Sequence, residues 1–184
     1  MNIIGKEKIR REMSAKRNSL PEEFIKKNSK EISEKLLNMD IYNNAKNIYI
    51  YMDFNGEVDT KEIIADAFSK GKRVAIPKII ENKMEFYYID DIADVDVGYF
   101  GYLEPLSNEL AKDEDHLMIM PGVAFDNKKN RIGYGRGFYD KYLAQNECEN
   151  KIALAYDFQV MEEVPYDNDD IKPDMIITEK DIVN

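Results

Sequence analysis

The sequence contains very few of the side chains that most often perform covalent or metal chemistry. Its 184 residues include one cysteine, Cys148, one histidine, His116, and no tryptophan. A disulfide within the chain and a zinc site of cysteines and histidines are therefore excluded. Acidic residues around Cys148 disfavour a reactive thiolate, and the position of His116 at a polar-to-apolar boundary favours an ordinary solvent-facing histidine. Any catalysis must depend on carboxylates, cations, backbone amides or a bound metal.

Long apolar runs are also missing, since none approaches the roughly 18 residues of a membrane span. The first segment, MNIIGKEKIRREMSAKR, is charged and lacks the apolar centre of a signal peptide, so we expect a cytoplasmic protein. The chain length predicts one domain, residues 1–184, and we expect a monomer.

Charge is distributed unevenly along the chain. The net charge is −10, but residues 1–36 carry ten Lys/Arg and six Asp/Glu, a local +4, against sixteen and thirty in the rest. A basic end can bind nucleic acid, yet this one interleaves its cations with glutamates and has a single aromatic side chain, Phe24. We therefore expect an anionic small molecule as partner, and neither nucleic acid nor a membrane.

The first half of the chain alternates helical and strand patterns. Apolar residues recur at helical spacing from Lys6 to Asn18, and a second helix is predicted to run to about Met39. The segment NIYIYMDF, residues 47–54, is typical of a strand, VDTKEIIADAFSKG of a helix ending at Gly71, and KRVAIPKI of another strand. This order predicts a βαβ unit with parallel strands.

The second half continues the alternation. MEFYYI predicts a strand near a sheet edge, and the acidic segment 90–115 is predicted to be mostly loop. DHLMIMPG, NKIALAYD and KPDMIITE predict buried strands, and FYDKYLAQNE predicts a helix. The sequence thus predicts an α/β fold, a three-layer α/β/α sandwich with a Rossmann-like, mostly parallel sheet, and ligands at the carboxyl ends of its strands.

A glycine-rich stretch, RIGYGRGFYDKYL, separates two of these elements. Gly133, Gly135 and Gly137 occupy every second position after Arg131, with Arg136 before the last of them, which indicates either a flexible connection or a backbone that a ligand approaches closely. The backbone N–H groups of such a loop and the two arginine side chains are suited to bind a phosphate group. The spacing excludes both the P-loop and the dinucleotide-binding fingerprint.

Other polar residues could join this loop in a site. Asp140 could bind the magnesium that accompanies a nucleotide, or could be an ordinary acid of a helix first turn. Lys6 and Arg10 share a helix face, either closing over phosphates or facing solvent. Glu57 follows a strand end without an obvious structural task, whereas nearby Asp59 or Thr60 suits a helix N-cap.

Three aromatic residues, Tyr99, Phe100 and Tyr102, lie in the predicted loop GYFGYLEP. They either cover part of the core or form a pocket for a flat ring. The pattern leaves both interpretations open.

Together, these segments resemble the 5-formyltetrahydrofolate cyclo-ligase family, also called methenyltetrahydrofolate synthetases. The resemblance covers nearly the whole chain, through KEKIRREMSAKRNSL, YMDFNGEVDT, GYLEP, MPGVAFDNKKNRIGYGRGFYDKYL and IKPDMIITE. It implies that ATP, with Mg²⁺, drives ring closure of 5-formyltetrahydrofolate, with or without a polyglutamate tail, to 5,10-methenyltetrahydrofolate. Phosphorylation of the formyl oxygen would precede attack by the folate N10. A non-catalytic homologue that binds reduced folate is the alternative.

The resemblance also implies roles for individual residues. Nucleotide contacts fall on Lys6, Glu7, Lys8, Ile9 and Arg10, and on Arg131, Ile132, Gly133, Tyr134, Gly135, Arg136, Gly137, Phe138 and Tyr139. Folate contacts fall on Met52, Glu57, Tyr134, Gly135, Arg136, Gly137 and Phe138. Arg136 and Tyr139 are the implied catalytic residues, and Asp140 and Asp174 the implied magnesium ligands. Because Arg136 replaces a frequent lysine or glycine and Phe138 a frequent tyrosine, we expect altered affinity and retained activity.

Overall fold

Helices and strands alternate along the chain around a central β-sheet. The computed structural model describes residues 3–98 and 100–184. Within these ranges the helices are α1 (Ile3–Asn18), α2 (Glu22–Leu37), α3 (Asp40–Asn44), α4 (Lys61–Ser69) and α5 (Phe138–Leu143), with a 3₁₀ turn at Asp157–Gln159. The strands are β1 (Asn47–Ile50), β2 (Arg73–Ile80), β3 (Lys83–Ile89), β4 (Val95–Val97), β5 (Leu103–Pro105), β6 (Leu117–Met120), β7 (Ala124–Asp126), β8 (Arg131–Ile132), β9 (Asn150–Leu154), β10 (Val160–Met161), β11 (Met175–Ile177) and β12 (Ile182–Val183). No described helix is long and apolar enough to cross a membrane.

The central sheet contains seven strands in the order β12-β11-β9-β6-β1-β2-β3. Its five inner strands are parallel, and the edge strands β12 and β3 are antiparallel to their neighbours. The parallel pairing of β1 with β2, with α4 between them in the chain, confirms the predicted βαβ unit. The edge position predicted for β3 is confirmed as well.

Both faces of the sheet are covered, because successive side chains of its apolar strands point to opposite faces. In β1, Ile48 and Ile50 belong to a cluster with apolar residues of α2, α3 and α4. Tyr49, between them, belongs to a second cluster that includes Tyr142 of α5 and Phe125 of β7. The predicted fold class, a mostly parallel sheet flanked by helices, is confirmed.

Several short elements differ from the prediction. The acidic segment 90–115 contains a hairpin of β4 and β5, and β10, β7 and β8 form a separate three-stranded sheet. Strands of two or three residues are too short for an alternating pattern to be visible in the sequence. The strand predicted over residues 47–54 ends at Ile50, and the loop after it carries Met52 and Glu57. That loop lies at a carboxyl end of the parallel sheet.

Candidate active site

A cavity of about 590 Å³ opens at the carboxyl ends of β1 and β6, where the parallel sheet predicts a ligand. It brings together most of the predicted site residues. They are Lys6, Glu7 and Arg10 of α1, Met52 and Glu57 of the loop after β1, and every residue from Arg131 to Asp140. Lys8, Ile9 and Asp174 are not among its lining residues. Ile9 instead packs beside Ile132 in a small apolar cluster, and the exposed Lys8 lies 3.9 Å from Glu12.

The glycine loop forms one wall of the cavity. Gly135 and Gly137 have φ angles of +98° and +65°, which are unfavourable for residues with a Cβ. Arg10 Nε donates to the Gly133 carbonyl at 2.8 Å, and a Cβ on Gly135 would lie 3.4 Å from the Arg10 guanidinium carbon. The loop is therefore a backbone that another group approaches closely, and in this structure that group is Arg10.

Arg131 and Asp140 join the two ends of this loop. Arg131 is 5% exposed, and its Nη2 lies 2.8 Å from Asp140 Oδ1. The same oxygen accepts a hydrogen bond from the Ile171 amide at 3.0 Å. Asp140 therefore anchors α5 and the segment before β11, while its side chain still lines the cavity.

Two further carboxylates, Asp167 and Asp170, line the cavity opposite α1. Lys6 Nζ lies 2.9 Å from Asp167 Oδ2 and also donates to Asp170 Oδ2. Burial alone would lower the pKa of Lys6, but these two carboxylates outweigh it and raise that pKa, so Lys6 remains a cation. Neither acid is predicted from the sequence to belong to the site, because an acidic run such as DNDD is usually a solvated loop.

Asp174 has a different environment. Its Oδ2 accepts from the Lys151 amide at 2.8 Å and lies 3.0 Å from Lys151 Nζ, at the start of β11 beside β9. The described residues contain no group of three or more His, Cys, Asp or Glu that could hold a metal ion. A cation in the cavity would therefore need ligands from a bound nucleotide or water.

Glu57 is a buried carboxylate in the cavity wall, 8% exposed. Its Oε2 accepts from the Phe54 amide at 2.8 Å, and its Oε1 accepts from the Tyr134 hydroxyl. Burial raises the pKa of Glu57 to about 7, and Arg17, Tyr134 and the Phe54 amide oppose that shift. A buried carboxylate held this way is suited to accept hydrogen bonds from the N–H groups of a ligand.

Aromatic rings complete the wall. Phe54 and Tyr102 meet edge to face with centroids 4.8 Å apart, and Phe100 and Phe138 lie 6.2 Å apart. Tyr102 and Phe138 line the cavity, whereas Phe100 is not among the lining residues. Of the three aromatic residues grouped in the sequence, Tyr102 therefore supports the pocket interpretation. Tyr99, which the sequence places beside Phe100 and Tyr102, lies outside the described residues.

Arg136 and Tyr139 occupy contrasting positions in this wall. Arg136 is exposed, with its guanidinium carbon 4.4 Å from the centre of the Phe100 ring. The Tyr139 hydroxyl is buried and has no hydrogen-bond partner among the described residues. Burial raises the pKa of Tyr139, so its hydroxyl keeps its proton and can donate it to a bound ligand.

Comparison with known proteins supports the sequence resemblance. The sequence profile of the 5-formyltetrahydrofolate cyclo-ligase family matches residues 2–179. A Haemophilus influenzae protein named 5-formyltetrahydrofolate cyclo-ligase is 31% identical over 179 residues, 93% of this chain and 96% of the relative. A Schizosaccharomyces pombe protein, named as a probable 5-formyltetrahydrofolate cyclo-ligase, is 30% identical over 199 residues and 98% of each chain. The solved structure of Aquifex aeolicus 5,10-methenyltetrahydrofolate synthetase has a TM-score of 0.86 at 33% identity, covering 96% of this chain and 91% of that one.

Proposed function

Because the chain belongs to the 5-formyltetrahydrofolate cyclo-ligase family, we propose that its cavity binds ATP and 5-formyltetrahydrofolate side by side and closes the folate ring. The protein is an ATP-dependent ligase of one-carbon metabolism, with the activity of a 5,10-methenyltetrahydrofolate synthetase. One observation carries the assignment of the site: the cations Lys6 and Arg10 and the buried carboxylate of Glu57 share a cavity with the glycine loop.

The chemistry requires no protein nucleophile. The formyl oxygen attacks the γ-phosphorus of ATP and ADP leaves; the folate N10 then attacks the activated carbon and loses its proton. The former formyl oxygen departs with inorganic phosphate, leaving 5,10-methenyltetrahydrofolate. Both steps depend mainly on positioning and charge neutralisation. A sequence with one cysteine and one histidine can therefore supply what they need.

The two substrates occupy adjacent parts of the cavity in this proposal. Lys6, Arg10 and Arg136 offset the phosphate charge, with the amides of the glycine loop beside them. Glu57 accepts from the N–H groups of the folate ring, which lies against the aromatic wall. Tyr139 belongs to the same lining, and its buried hydroxyl, which has no hydrogen-bond partner among the described residues, would donate to a reacting oxygen.

The residues present also suit a magnesium ion. Mg²⁺ usually retains several waters and binds through one or two carboxylates plus substrate phosphates, so a cluster of three acids is not needed. When bound, it would neutralise phosphate charge. Asp140 and Asp170 line the cavity, and the amide of Ile171, next to Asp170, donates to Asp140. We propose these two acids as its protein ligands, in place of the sequence-based pair with Asp174, which contacts Lys151 outside the lining.

Asparagine variants separate these assignments. Asp170→Asn is expected to raise the Mg²⁺ concentration for half-maximal turnover about tenfold, because removing a carboxylate weakens metal binding. Asp174→Asn should leave that concentration unchanged. Asp167→Asn is the matched control, since it also removes a partner of Lys6. If Asp174→Asn raises the magnesium requirement and Asp170→Asn does not, the sequence-based pair is right.

The activity itself is tested by mixing the purified protein with MgATP and 5-formyltetrahydrofolate. We expect the methenyl chromophore to appear with ATP and to be absent without it. Folate binding by calorimetry with no ATP consumption would instead identify a non-catalytic folate-binding homologue.

The other sequence-based expectations stay predictions. They are a monomer, a cytoplasmic location, a substrate with a polyglutamate tail, and no binding to nucleic acid or membranes. Gel filtration tests the first, and failure to retain RNA or DNA at low salt tests nucleic-acid binding.

A further inference from the structure

Arg17 is a buried arginine near the end of α1 that lies outside the predicted site. It is 3% exposed. Its Nε donates to the Asn55 carbonyl at 3.1 Å, and its Nη1 to the Gly122 carbonyl at 3.4 Å. Its guanidinium carbon lies 5.3 Å from the centre of the Tyr134 ring. One side chain thus contacts the loop after β1, the carboxyl end of β6 and the glycine loop.

The loop that carries Glu57 packs closely on this part of α1. A Cβ on Gly56 would lie 2.7 Å from the Arg17 carbonyl oxygen, so no side chain fits between them. Glu57 in turn accepts from Tyr134, whose ring Arg17 contacts. Arg17, Glu57 and Tyr134 therefore form one connected unit, in which Glu57 and Tyr134 line the cavity and Arg17 lies outside the lining.

Electrostatic interactions also link Arg17 to Glu57. Burial raises the pKa of Glu57 and the neighbouring Asp53 raises it further, whereas Arg17 lowers it. The hydroxyls of Tyr51, Tyr102, Tyr134 and Tyr139 also interact with Glu57, and they are neutral near pH 7 because burial raises their pKa values. Among these groups, Arg17 supplies the positive charge.

We propose that Arg17 is a positioning residue for folate binding: it holds Glu57 and Tyr134 in their hydrogen-bonded arrangement and supplies the cation that the buried carboxylate needs. This inference rests on the proposed role of Glu57 as the folate acceptor. A buried carboxylate without a cation takes up a proton more readily. The protonated acid accepts fewer hydrogen bonds. Loss of Arg17 must therefore weaken folate binding most at low pH.

The test compares Arg17→Met and Arg17→Lys with Arg11→Met, a change at an exposed position of the same helix. Turnover is measured from about pH 6 to about pH 9 with each substrate varied. In Arg17→Met, the pH of the acidic inflection of kcat/KM for folate should rise by about one unit. Below that pH, kcat/KM should be about tenfold lower than in the wild type, and the difference should shrink at high pH. KM for ATP should not change. Arg17→Lys should keep the inflection but raise KM for folate, because lysine lacks the planar fork.

Two results would overturn the proposal: a loss in Arg17→Met that is equal at every pH, or the same profile in Arg11→Met. Should Arg17→Met fail to fold, Arg17→Lys decides the question, and an unchanged KM for folate contradicts the positioning role. A wild-type protein that binds folate without forming product would refute the proposed function instead. In that case, the pH dependence of folate binding by calorimetry, in the same variants, still decides the role of Arg17.

Discussion

Arg136→Ala is expected to lower kcat about a hundredfold while changing the free energy of unfolding by about 1 kcal/mol or less. The side chain is exposed at the cavity, and its described contact is the face of Phe100, so its loss leaves no buried partner unsatisfied. Its charge, however, lies where the triphosphate is proposed to bind. Methenyl product formation measures the first quantity, and urea unfolding the second.

Arg73→Ala is the matched control for this change. Arg73 is also exposed and stacks on an aromatic ring, with its guanidinium carbon 3.5 Å from the centre of the Tyr88 ring, but it lies outside the cavity lining. Arg73→Ala should lose this ring contact and the exposed ion pair of Arg73 with Glu109, and should keep full turnover. If Arg136→Ala retains more than about a tenth of the wild-type kcat, Arg136 is not a catalytic residue.

Local patterns predicted much of the fold, because apolar periodicity reports which face of an element is buried. The first helix and the β1-α4-β2 unit follow from the sequence for this reason. Asp140 is a residue whose role local sequence patterns cannot decide. Its sequence position allowed either a helix first-turn acid or a metal ligand, and its actual partners, Arg131 and Ile171, lie nine and 31 positions away. Only the folded chain shows that Asp140 is anchored and lines the cavity as well.

The same limit explains the acids near the end of the chain. Asp170 and Asp174 lie in one polar segment, and nothing local distinguishes the residue that lines the cavity. The difference comes from partners elsewhere, since Asp170 contacts Lys6, 164 positions away, and Asp174 contacts Lys151. Arg17 was missed for a related reason: in the sequence it is one cation in a basic helix, and only tertiary packing buries it against Asn55, Gly122 and Tyr134.

Glu57→Gln is expected to stabilise the protein at about pH 8, by up to about 3 kcal/mol, and to weaken folate binding. The folded-state pKa of about 7 lies above the ordinary value of 4.5, so folding takes up a proton between these values. The stability of the wild-type protein therefore falls as pH rises through this window, and the full penalty applies above about pH 7. Neutral glutamine does not incur it. Urea unfolding at about pH 5 and about pH 8 should show the larger gain at pH 8.

The buried Arg17 does not reverse this expectation, although Glu57→Gln removes its anionic neighbour. The raised pKa of Glu57 already includes the attraction of Arg17, and burial still outweighs it. Glutamine resembles the protonated acid, and Arg17 keeps its two carbonyl acceptors. Glu114→Gln, at an exposed loop position, is the control and should change neither stability nor folate affinity. If Glu57→Gln binds folate normally, or gains no stability at about pH 8, the carboxylate is not a destabilising group held in place for the ligand.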